Sequence, residues 1–500
     1  MNDAGHVSSV QPRSLLCTAQ YIAWHARATP GATAIVEAGV RVTYGELAAD
    51  LLRYVCALRS IPIRPGMLVG VATMNRYLHL QVLLACEVVG ATTLSLVRSE
   101  LTTENVLLRG CDVLLTDSRL ALGFPPKTVV MSAEWLAEVA MPGTEPMDLA
   151  LLDRNIPGRT VVRIARSSGT TGSPKLIEMS LAKQQLVVAR NAEWVADGLA
   201  QRQAFLSMYH LTVRSNYHRV LGCLQHGGTV YFAMETEVFD LIAAGAVNAV
   251  MFVVGDIQRL VQHARSPPPG QPLHVWTIGT ALSRRLRQLI RQRLNAQVFS
   301  YYSSNETGRV ACMDDDNVGT LCPGVEVRIV DEDGKDNPIG KAGLIHVRAE
   351  TMVDGYRNDP KLTASRFVDG WFHTRDMGFM PAPGRLVVVG RADDMLDVGG
   401  VKFPPAPIEE QIKAIDGITD AAVLSIDTTN EVAALLVAIE TAAGEAMSGL
   451  AERLDPIVSP YLRTFRVMVT QQFPRTGTGK IKREKLVGQY LQARMQSRNT

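Results

Sequence analysis

The sequence has few of the features that mark secreted, membrane-spanning or nucleic-acid-binding proteins. Its seven cysteines are scattered, odd in number and without a C-x-x-C pair, which argues against a disulfide framework or a zinc site. No run of about 18 uncharged apolar residues occurs, so no membrane span is expected. The N-terminus also lacks the apolar stretch of a signal peptide. A net charge of +2 gives no electrostatic reason to expect a nucleic acid as partner, and a cytoplasmic location is expected.

The composition and length are those of a globular protein with more than one domain. Hydrophobic residues make up 47% and charged residues 20% of the 500 residues, which is too long a chain for one ordinary core. Short apolar runs such as ATAIVEA and MLVGVATM alternate with helical stretches, which predicts an α/β fold. The stretch TYGELAADLLRYVCALRSI predicts a helix that its first Thr can cap.

The pattern changes after residue 315. The runs VEVRIVDEDGK, GLIHVRAE and RLVVVGRADD predict short strands, joined in hairpins or in a small barrel. The tail then predicts a helix, two strands and a helix, which suits a small α+β domain. With the boundary placed near GRADD, the domains are residues 1–390 and 391–500.

The stretch RSSGTTGSPK, residues 166–175, combines glycines, hydroxyl side chains and a lysine. Glycines let backbone N–H groups approach an anion, and hydroxyls and lysine add donors, so the stretch predicts a phosphate site. It is not a Walker A loop, because no Gly-Lys is followed by a hydroxyl residue. A solvated turn is the alternative.

Four further stretches suggest nucleotide chemistry. YYSSNETG offers an aromatic face for a purine and a Glu that can bind Mg²⁺, although a loop Glu is the simpler interpretation. Asp376 in GWFHTRDMG either accepts ribose hydroxyls or forms an Asp turn. GRADDMLDVGGVKFPP is a hinge or a plain linker. Lys480 in PRTGTGKIKREKL is a functional cation or part of a solvated basic surface.

Together, the order and spacing of the five stretches resemble the ANL superfamily of adenylate-forming enzymes, along nearly the whole chain. This superfamily comprises acyl- and aryl-CoA synthetases, peptide-synthetase adenylation domains and firefly-type luciferases. The resemblance implies an α/β fold. It consists of a large N-terminal domain of layered α/β subdomains with a β-rich segment, and a small mobile α+β C-terminal domain.

The resemblance also implies residue roles in binding ATP and Mg²⁺. Tyr302 would stack on adenine, Asp376 would hold the ribose hydroxyls with support from Arg391, and Asn305 would lie near the α-phosphate. Glu306 and Thr171 would bind the metal. The loop that grips pyrophosphate would comprise Ser168, Gly169, Thr170, Thr171, Gly172 and Lys175, and the strand-loop lining the acyl and adenine sites would comprise Gly279, Thr280 and Ala281.

The two half-reactions of the family imply further roles. Lys480 would bridge the acyl carboxylate, the α-phosphate and a ribose oxygen in the first step. The small domain would then rotate about Asp393, remove the lysine and bring Gly399–Gly400 toward a pantetheine tunnel. A second nucleophile, usually a thiol, would attack the acyl-adenylate.

The stretch expected to contact the acid is SMYHLTVRSNYHRVLGCLQHGGT, residues 207–229. It contains no Asp or Glu to bind an α-amine, so an α-amino acid is not expected. His210 resembles the acid-site His of acyl- and aryl-CoA ligases. Arg214 either approaches the acid or is a surface residue of a helix, and Trp276 either lines the acyl site or is a core aromatic.

The leading hypothesis is an acid–thiol ligase that makes an acyl-adenylate and then an acyl-thioester. No carrier domain follows residue 500, so the expected acceptor is CoA or a separate carrier protein. An amine acceptor, giving an amide, is the alternative, because Asp397 departs from the usual second-step loop. Leu176 and Arg375, where relatives often have Gly, leave open an adenylate-binding protein without turnover.

Overall fold

The fold was analysed in a computed structural model. It describes residues 17–61, 63–102, 105–118, 127–140, 148–167, 175–191, 203–263, 268, 272–279, 281–398, 401–426, 434–441, 448–460, 465–475 and 481–496. The chain forms two compact units. The first comprises Met1–Val238 with Val353–Asp359, and the second comprises Phe239–Met352 with Pro360–Thr500.

The first unit alternates strands and helices, as predicted. Its helices are α1 Thr18–Ala28, α2 Tyr44–Ser60, α3 Arg76–Val89, α4 Val106–Arg109, α5 Ala133–Ala140, α6 Leu181–Asn191 and α7 Arg214–Gln225. Its strands are β1 Thr33–Glu37, β2 Val40–Thr43, β3 Leu68–Ala72, β4 Thr92–Ser95, β5 Val113–Thr116, β6 Lys127–Val130, β7 Val161–Ser167, β8 Lys175–Ser180, β9 Ala204–Ser207 and β10 Thr229–Phe232.

These strands form mainly parallel sheets. One sheet has the order β6-β5-β3-β4-β7-β8, in which neighbours are parallel except for the antiparallel β7–β8 pair. In the other, β9, β10 and β1 are parallel and β2 joins antiparallel. Every residue of β3 is buried, which is typical of a parallel strand covered on both faces. The strands predicted from ATAIVEA and MLVGVATM are therefore confirmed.

The predicted cap of α2 is also confirmed. The Oγ1 of Thr43 accepts from the backbone N–H of Glu46 at 3.2 Å. The Glu46 carboxylate in turn accepts from the backbone N–H of Thr43 at 2.8 Å, which completes a capping box. Two N–H groups that lack partners within the helix are thereby satisfied, so the helix begins at Tyr44.

The second unit is richer in strands. The helix α8 Val238–Ala243 begins at the end of the first unit's main segment and is followed by α9 Val254–His263, α10 Arg284–Leu294, α11 Pro360–Arg366, α12 Ala406–Lys413, α13 Leu450–Val458 and α14 Arg483–Gln496. The strands are β11 Ala249–Val253, β12 Leu273–Ile278, β13 Ala296–Ser304, β14 Gly308–Met313, β15 Val318–Leu321, β16 Val325–Val330, β17 Gly343–Ala349, β18 Phe367–Val368, β19 Trp371–Ala382, β20 Arg385–Arg391, β21 Leu396–Val398, β22 Val401–Phe403, β23 Ile418–Ile426, β24 Ala434–Thr441 and β25 Phe465–Thr470. Short 3-10 helices lie at Arg98–Glu100, Leu149–Asp153, Glu235–Glu237 and Ala392–Asp394.

Within this unit, parallel pairing gives way to antiparallel pairing. The strands β11, β12 and β13 are parallel, and β14, β15, β20, β19, β17 and β16 then follow in antiparallel pairs. The hairpins predicted after residue 315 are thus confirmed, and so is the α/β class.

The C-terminal part contains the predicted helix, two strands and helix. The strand β24 pairs antiparallel with β23 and parallel with β25. Ile408 and Ile412 of α12 and Leu454 of α13 pack in one buried cluster with Val437 of β24. The predicted boundary at residue 390 falls at the end of β20 and stays a prediction. No helix in the described parts of the chain is both long and apolar enough to cross a bilayer.

Candidate active site

The second unit brings three predicted nucleotide-binding residues together. The Oη of Tyr302 on β13 donates to Oδ2 of Asp376 on β19 at 2.5 Å. Asp376 lies opposite Arg391 in the β19–β20 pair, with Arg391 Nε 4.0 Å from Asp376 Oδ1. Burial and the nearby Asp376 carboxylate raise the pKa of Tyr302 well above its ordinary value. The phenol therefore stays protonated and acts as a donor to the carboxylate.

Local backbone irregularities position Asp376. Arg375 adopts a left-handed conformation with φ of 63°, and the strand register shifts between Met377 and Gly378. A bulge of this kind re-aims the side chains beside it. A Cβ at Gly378 would lie 2.3 Å from the carbonyl oxygen of Val387, so only glycine fits the close approach of the two strands. The Asp376 N–H donates to Thr374 Oγ1 at 2.9 Å, which fixes the backbone further.

Asn305 and Glu306 lie in the tight turn between β13 and β14. The Oγ of Ser304 accepts from the N–H groups of Glu306 at 3.1 Å and of Thr307 at 3.0 Å. The carbonyl oxygen of Thr307 accepts from Thr351 Oγ1 at 2.6 Å. The turn closes at Gly308, whose φ is 77°. Glu306 is buried, so its carboxylate has a fixed place at the end of the strand that carries Tyr302.

Asp393, the predicted hinge, lies in the 3-10 helix after β20. Its Oδ1 accepts from Arg375 Nη2, and its Oδ2 lies 3.7 Å from Arg391 Nη2. Arg391 thus lies between the predicted ribose-binding carboxylate of Asp376 and the predicted hinge. Arg375, which replaces the family's usual Gly, adds a contact to Asp393 that glycine does not make.

The predicted phosphate loop is described only at its edges. Ser167 pairs with Lys175 where β7 and β8 run antiparallel. The Nζ of Lys175 lies 5.4 Å from the ring centroid of Tyr356. The predicted residues Ser168, Gly169, Thr170, Thr171 and Gly172 lie outside the described residues, as do Thr280, Gly399, Gly400 and Lys480.

The strand-loop after β12 is described at Gly279 and Ala281. Both are exposed, and Gly279 has a φ of 101°. Trp276 is 1% exposed and stacks on Phe299, with ring centroids 5.3 Å apart. Of the two interpretations of Trp276, the core aromatic is the one that its burial supports.

His210 lies in a buried polar network of the first unit. The Thr212 N–H donates to His210 Nδ1 at 3.2 Å, so the proton lies on Nε2, which is 3.3 Å from the carbonyl oxygen of Thr73. The ring of His79 is 4.6 Å from that of His210. Burial and the positive charges of Arg163 and neighbouring arginines lower the pKa of His210, so the neutral form is present near pH 7.

Arg163 on β7 belongs to the same network. Its Nη2 donates to the carbonyl oxygen of Leu211 at 2.6 Å and to Ser95 Oγ at 2.9 Å. Its guanidinium carbon lies 4.1 Å from the ring centroid of Tyr217. Since Leu211 directly follows His210, Arg163 fixes the backbone of the segment predicted to contact the acid.

The prediction of Arg214 as a surface residue is wrong. Arg214 is 7% exposed at the start of α7, and all but one residue of this helix is buried. The helix lies within the first unit rather than on its surface, because both its apolar and its polar side chains pack against neighbouring elements. Arg214 therefore belongs to the interior of the first unit, and its approach to the acid stays a prediction.

Sequence reasoning missed Arg163 and His79. Arg163 is a charged residue within the otherwise apolar run VVRIA, and His79 interrupts the apolar helix RYLHLQVLLACEVV. A charged side chain inside a fully buried element is uncommon unless it has a partner or a role. That signal was present in the sequence, but no short motif surrounds either residue.

The chemistry of the turn fits a magnesium ion. Mg²⁺ is usually held by one or two carboxylates together with substrate phosphates rather than by a protein cage. The buried carboxylate of Glu306 suits this role. The described residues contain no cluster of three or more His, Cys, Asp or Glu side chains placed to hold a metal ion.

The family profile described as AMP-binding enzyme matches residues 22–357. The chain therefore belongs to the AMP-binding enzymes, within the ANL superfamily of adenylate-forming enzymes, and the resemblance noted from the sequence is confirmed. It is 24% identical over 481 residues to the 2-succinylbenzoate–CoA ligase of Listeria monocytogenes, covering 92% of this chain and 97% of that protein. It is 26% identical over 509 residues to the indoleacetate–CoA ligase of Aromatoleum aromaticum, covering 93% and 96%.

The fold has a counterpart among solved structures. ATP-bound MatB from Rhodopseudomonas palustris matches with a TM-score of 0.78 at 20% identity, covering 94% of this chain and 99% of that chain. At this identity, the likeness shows that the fold is shared.

Proposed function

We propose that this chain joins a carboxylic acid to a pantetheine thiol in two steps. In the first, a carboxylate oxygen attacks the α-phosphorus of ATP, forming an acyl-adenylate and releasing pyrophosphate. In the second, a thiol attacks the acyl carbon, forming a thioester, and AMP leaves with the bonding electrons. CoA or a separate carrier protein provides the thiol, and we infer that the reaction takes place in the cytoplasm.

The observation that carries this proposal is the contact of Tyr302, Asp376 and Arg391. An aromatic ring beside a carboxylate is the combination that a nucleoside requires, because the ring stacks on the base and the carboxylate accepts from the ribose hydroxyls. Arg391 lies beside the same carboxylate and holds its position. The donated Tyr302 hydrogen bond keeps one carboxylate oxygen in place as well.

The first step develops negative charge on the phosphates, and the proposed roles follow from this. Lys175 and the loop of residues 168–172 bind the departing pyrophosphate, and Lys480 neutralises charge between the carboxylate and the α-phosphate. Glu306 would hold Mg²⁺, which, when bound, withdraws electron density from the phosphate oxygens. Asn305 donates near the α-phosphate. Gly279, Thr280 and Ala281 line the nucleotide and acid sites.

The second step requires Lys480 to leave and the thiol to enter. We propose that Asp393 is the hinge of the segment 391–500 and that its contacts with Arg375 and Arg391 hold one of the two orientations. Because φ and ψ of a hinge residue change between the two domain orientations, its side-chain contacts can exist in only one of them. Such a contact stabilises that orientation and shifts the equilibrium toward it.

A pyrophosphate-release assay with a panel of carboxylic acids tests the proposal. Release is expected only with an acid, and AMP and a thioester are expected when CoA or a carrier protein is added. Amines are included as acceptors, and amide formation in place of the thioester would overturn the second step. Asp376→Ala should strongly reduce the activity, whereas Asp336→Ala, which removes an exposed Asp–Arg pair of the same unit, should retain it. Activity unaffected by Asp376→Ala would contradict the nucleotide site.

A further inference from the structure

Among the described residues of the first unit, one buried positive charge has no carboxylate in contact with it. Arg163 is 2% exposed, and the partners of its Nη2 are the neutral Ser95 Oγ and the carbonyl oxygen of Leu211. Its Nη1 has no hydrogen-bond partner among the residues that the structure describes. Burial of a charge is costly unless the charge is paired. An anion that the described residues do not supply would therefore stabilise the guanidinium.

Glu87 acts on Arg163 only at a distance and makes no ion pair with it. It is the one buried carboxylate among the described residues of this unit, and its Oε2 accepts from Gln184 at 2.7 Å. No ion pair within 4.0 Å joins it to Arg163 in the described part of the chain. Burial raises the pKa of Glu87 to about 7, so this side chain is partly protonated near neutral pH.

The helix α7 places two further basic side chains near Arg163. Arg214, Tyr217 and His218 share one helix face, because residues three and four apart lie side by side. Tyr217 contacts the Arg163 guanidinium at 4.1 Å, so this face is turned toward Arg163. Arg214 is buried, and the buried His218 has no partner for Nε2 among the described residues.

The neighbouring histidines add no negative charge. Thr73 Oγ1 donates to the carbonyl oxygen of Asn75 at 3.1 Å, so it accepts from His79 Nδ1–H at 3.1 Å. His79 Nε2 is then the acceptor of the Ser95 hydroxyl proton at 2.9 Å. Ser95 Oγ in turn accepts from Arg163. This chain of hydrogen bonds connects Arg163 to His79, which contacts His210. All its members except Arg163 are neutral, so none of them balances the positive charge of Arg163.

We propose that the acid activated by this enzyme is a dicarboxylic acid whose second carboxylate binds Arg163, with Arg214 and His218 of α7 beside it. The inference rests on the proposed function, in which a carboxyl group of the acid, here the other one of the diacid, is adenylated. A carboxylate provides the missing charge and forms strong charge-assisted hydrogen bonds with a guanidinium. A monocarboxylic acid leaves Arg163 without an anion and is therefore a poor substrate.

The test compares each diacid with a nearly isosteric acid that lacks the second charge. Malonate, succinate, glutarate, adipate and phthalate are each assayed for pyrophosphate release beside their monoamides. For at least one pair, the wild-type kcat/KM for the diacid should exceed that for the monoamide by about 30-fold or more, as expected for a buried charge pair. Binding of the same pair without ATP is measured by calorimetry and should show the same preference.

Variants then assign the preference to Arg163. Arg163→Gln should reduce the ratio of kcat/KM for the diacid to that for its monoamide to less than about 3. Arg163→Lys should restore part of the preference, because the charge is kept. Arg214→Gln keeps Arg163 in place and should also weaken the preference for the diacid. It therefore tests the site even if Arg163→Gln does not fold. Arg287→Gln is the matched control, since Arg287 is also buried but lies 3.5 Å from Asp315 in the second unit.

The outcomes separate this inference from the proposed function. Release of pyrophosphate with monoamides or simple monocarboxylic acids at rates equal to those of the diacids overturns the dicarboxylate inference and leaves adenylation intact. A diacid preference that survives both Arg163→Gln and Arg214→Gln overturns the assignment of the site. The absence of acid-dependent release with any carboxylic acid contradicts adenylation itself, and the inference with it.

Discussion

At the scale of single residues, the nucleotide site depends on one carboxylate and its supports. Asp376 lies between a residue with a left-handed backbone and a bulge, and it accepts a hydrogen bond from Tyr302. Arg375 holds the left-handed conformation at a cost of about 1–2 kcal/mol for a residue with a side chain.

The carboxylate of Asp376 should make the enzyme depend on both ribose hydroxyls. With 2′-deoxy-ATP, we expect a loss of roughly 5- to 150-fold in kcat/KM, since one partner left without its hydrogen bond costs about 1–3 kcal/mol. Asp376→Ala should be slow with both nucleotides and discriminate less than about 3-fold between them. Tyr302→Phe retains the carboxylate and should retain the discrimination. Steady-state pyrophosphate release gives all three ratios, and undiminished turnover of the wild type with 2′-deoxy-ATP would count against the assignment.

Glu87 should make stability depend on pH. Burial raises its pKa from 4.5 to about 7, so the folded state holds the proton more tightly than the unfolded state. The stabilisation is complete below the unfolded pKa and is lost as pH rises through about 7, by roughly 3 kcal/mol at most. The groups that act on this carboxyl include Gln184 and Arg163, which lower its pKa. The Glu87 charge in turn raises the pKa of Tyr217 and of Cys17.

Glu87→Gln isolates this effect from the buried histidines, which act in the opposite direction. Relative to the variant, the wild type should lose thermal stability between about pH 5 and about pH 8. Melting temperatures of both proteins at the two pH values provide the measurement. If the difference in melting temperature between wild type and variant is the same at both pH values, Glu87 does not change its protonation state in this range.

The candidate site residues that the sequence indicated are those inside short motifs, and their roles stay predictions. Tyr302 and Asp376 received their roles from the family resemblance of the motifs that contain them, and the structure brings their side chains to 2.5 Å of each other. Arg163 could not be assigned a role, since its partners Ser95 and Leu211 lie far away in the chain and meet it only after the strands pair. The burial of Arg214 likewise depends on the packing of α7, which local sequence does not encode.

At the scale of elements, the order of strands and helices was largely predictable. The helix α2 has an apolar face and a cap at Thr43, so local sequence defines both its start and its buried side. The pairing of β15 with β20 was not predictable, because some 60 residues and four other strands separate them in the chain. Apolar alternation identifies a strand but does not identify its partner.

The 3-10 helix after β20 should be the element that changes conformation between the two steps. Proline fixes φ near −65° and removes an N–H, so Asp393→Pro should hold one orientation of the segment that follows. We therefore expect one half-reaction to slow strongly and the other to remain near the wild-type rate. Pyrophosphate exchange and acyl transfer from preformed adenylate measure the two steps separately.

Asp393→Asn is the control for this variant, since it weakens the ion pair with Arg375 but leaves the backbone free. An exposed pair contributes little to stability, so the asparagine variant should change either rate by no more than about 5-fold. Wild-type rates in both steps for the proline variant would show that Asp393 is not the hinge. A collapse of both steps in a folded protein would exclude alternation about this residue.

At the scale of the whole molecule, the chain forms two compact units, and the second contains a C-terminal part with its own core. The predicted C-terminal domain begins where β20 ends. Its helices and strands were visible in the sequence because the helices have apolar faces and the strands are short apolar runs. The orientation of that domain during each step was beyond prediction, since it depends on bound substrates rather than on local sequence.

Lys480 should act in only one of the two steps. We expect Lys480→Ala to abolish acyl-adenylate formation and to spare thioester formation from preformed adenylate, because the lysine neutralises charge on the phosphates only in the first step. Lys482→Ala, two residues away in the same basic stretch, is the matched control and should leave both steps near wild type. Equal losses in both steps for Lys480→Ala would contradict this role.

The central claim is that the acid attacks the α-phosphorus of ATP, and the fate of the carboxylate oxygen tests it most directly. An acid labelled with ¹⁸O in both carboxylate oxygens is incubated with the enzyme, ATP and CoA, and the AMP is examined by mass spectrometry. Adenylation predicts that AMP gains one labelled oxygen for each thioester formed, since the oxygen that attacked phosphorus leaves with AMP. Unlabelled AMP, or label in inorganic phosphate with ADP as the product, would contradict the claim.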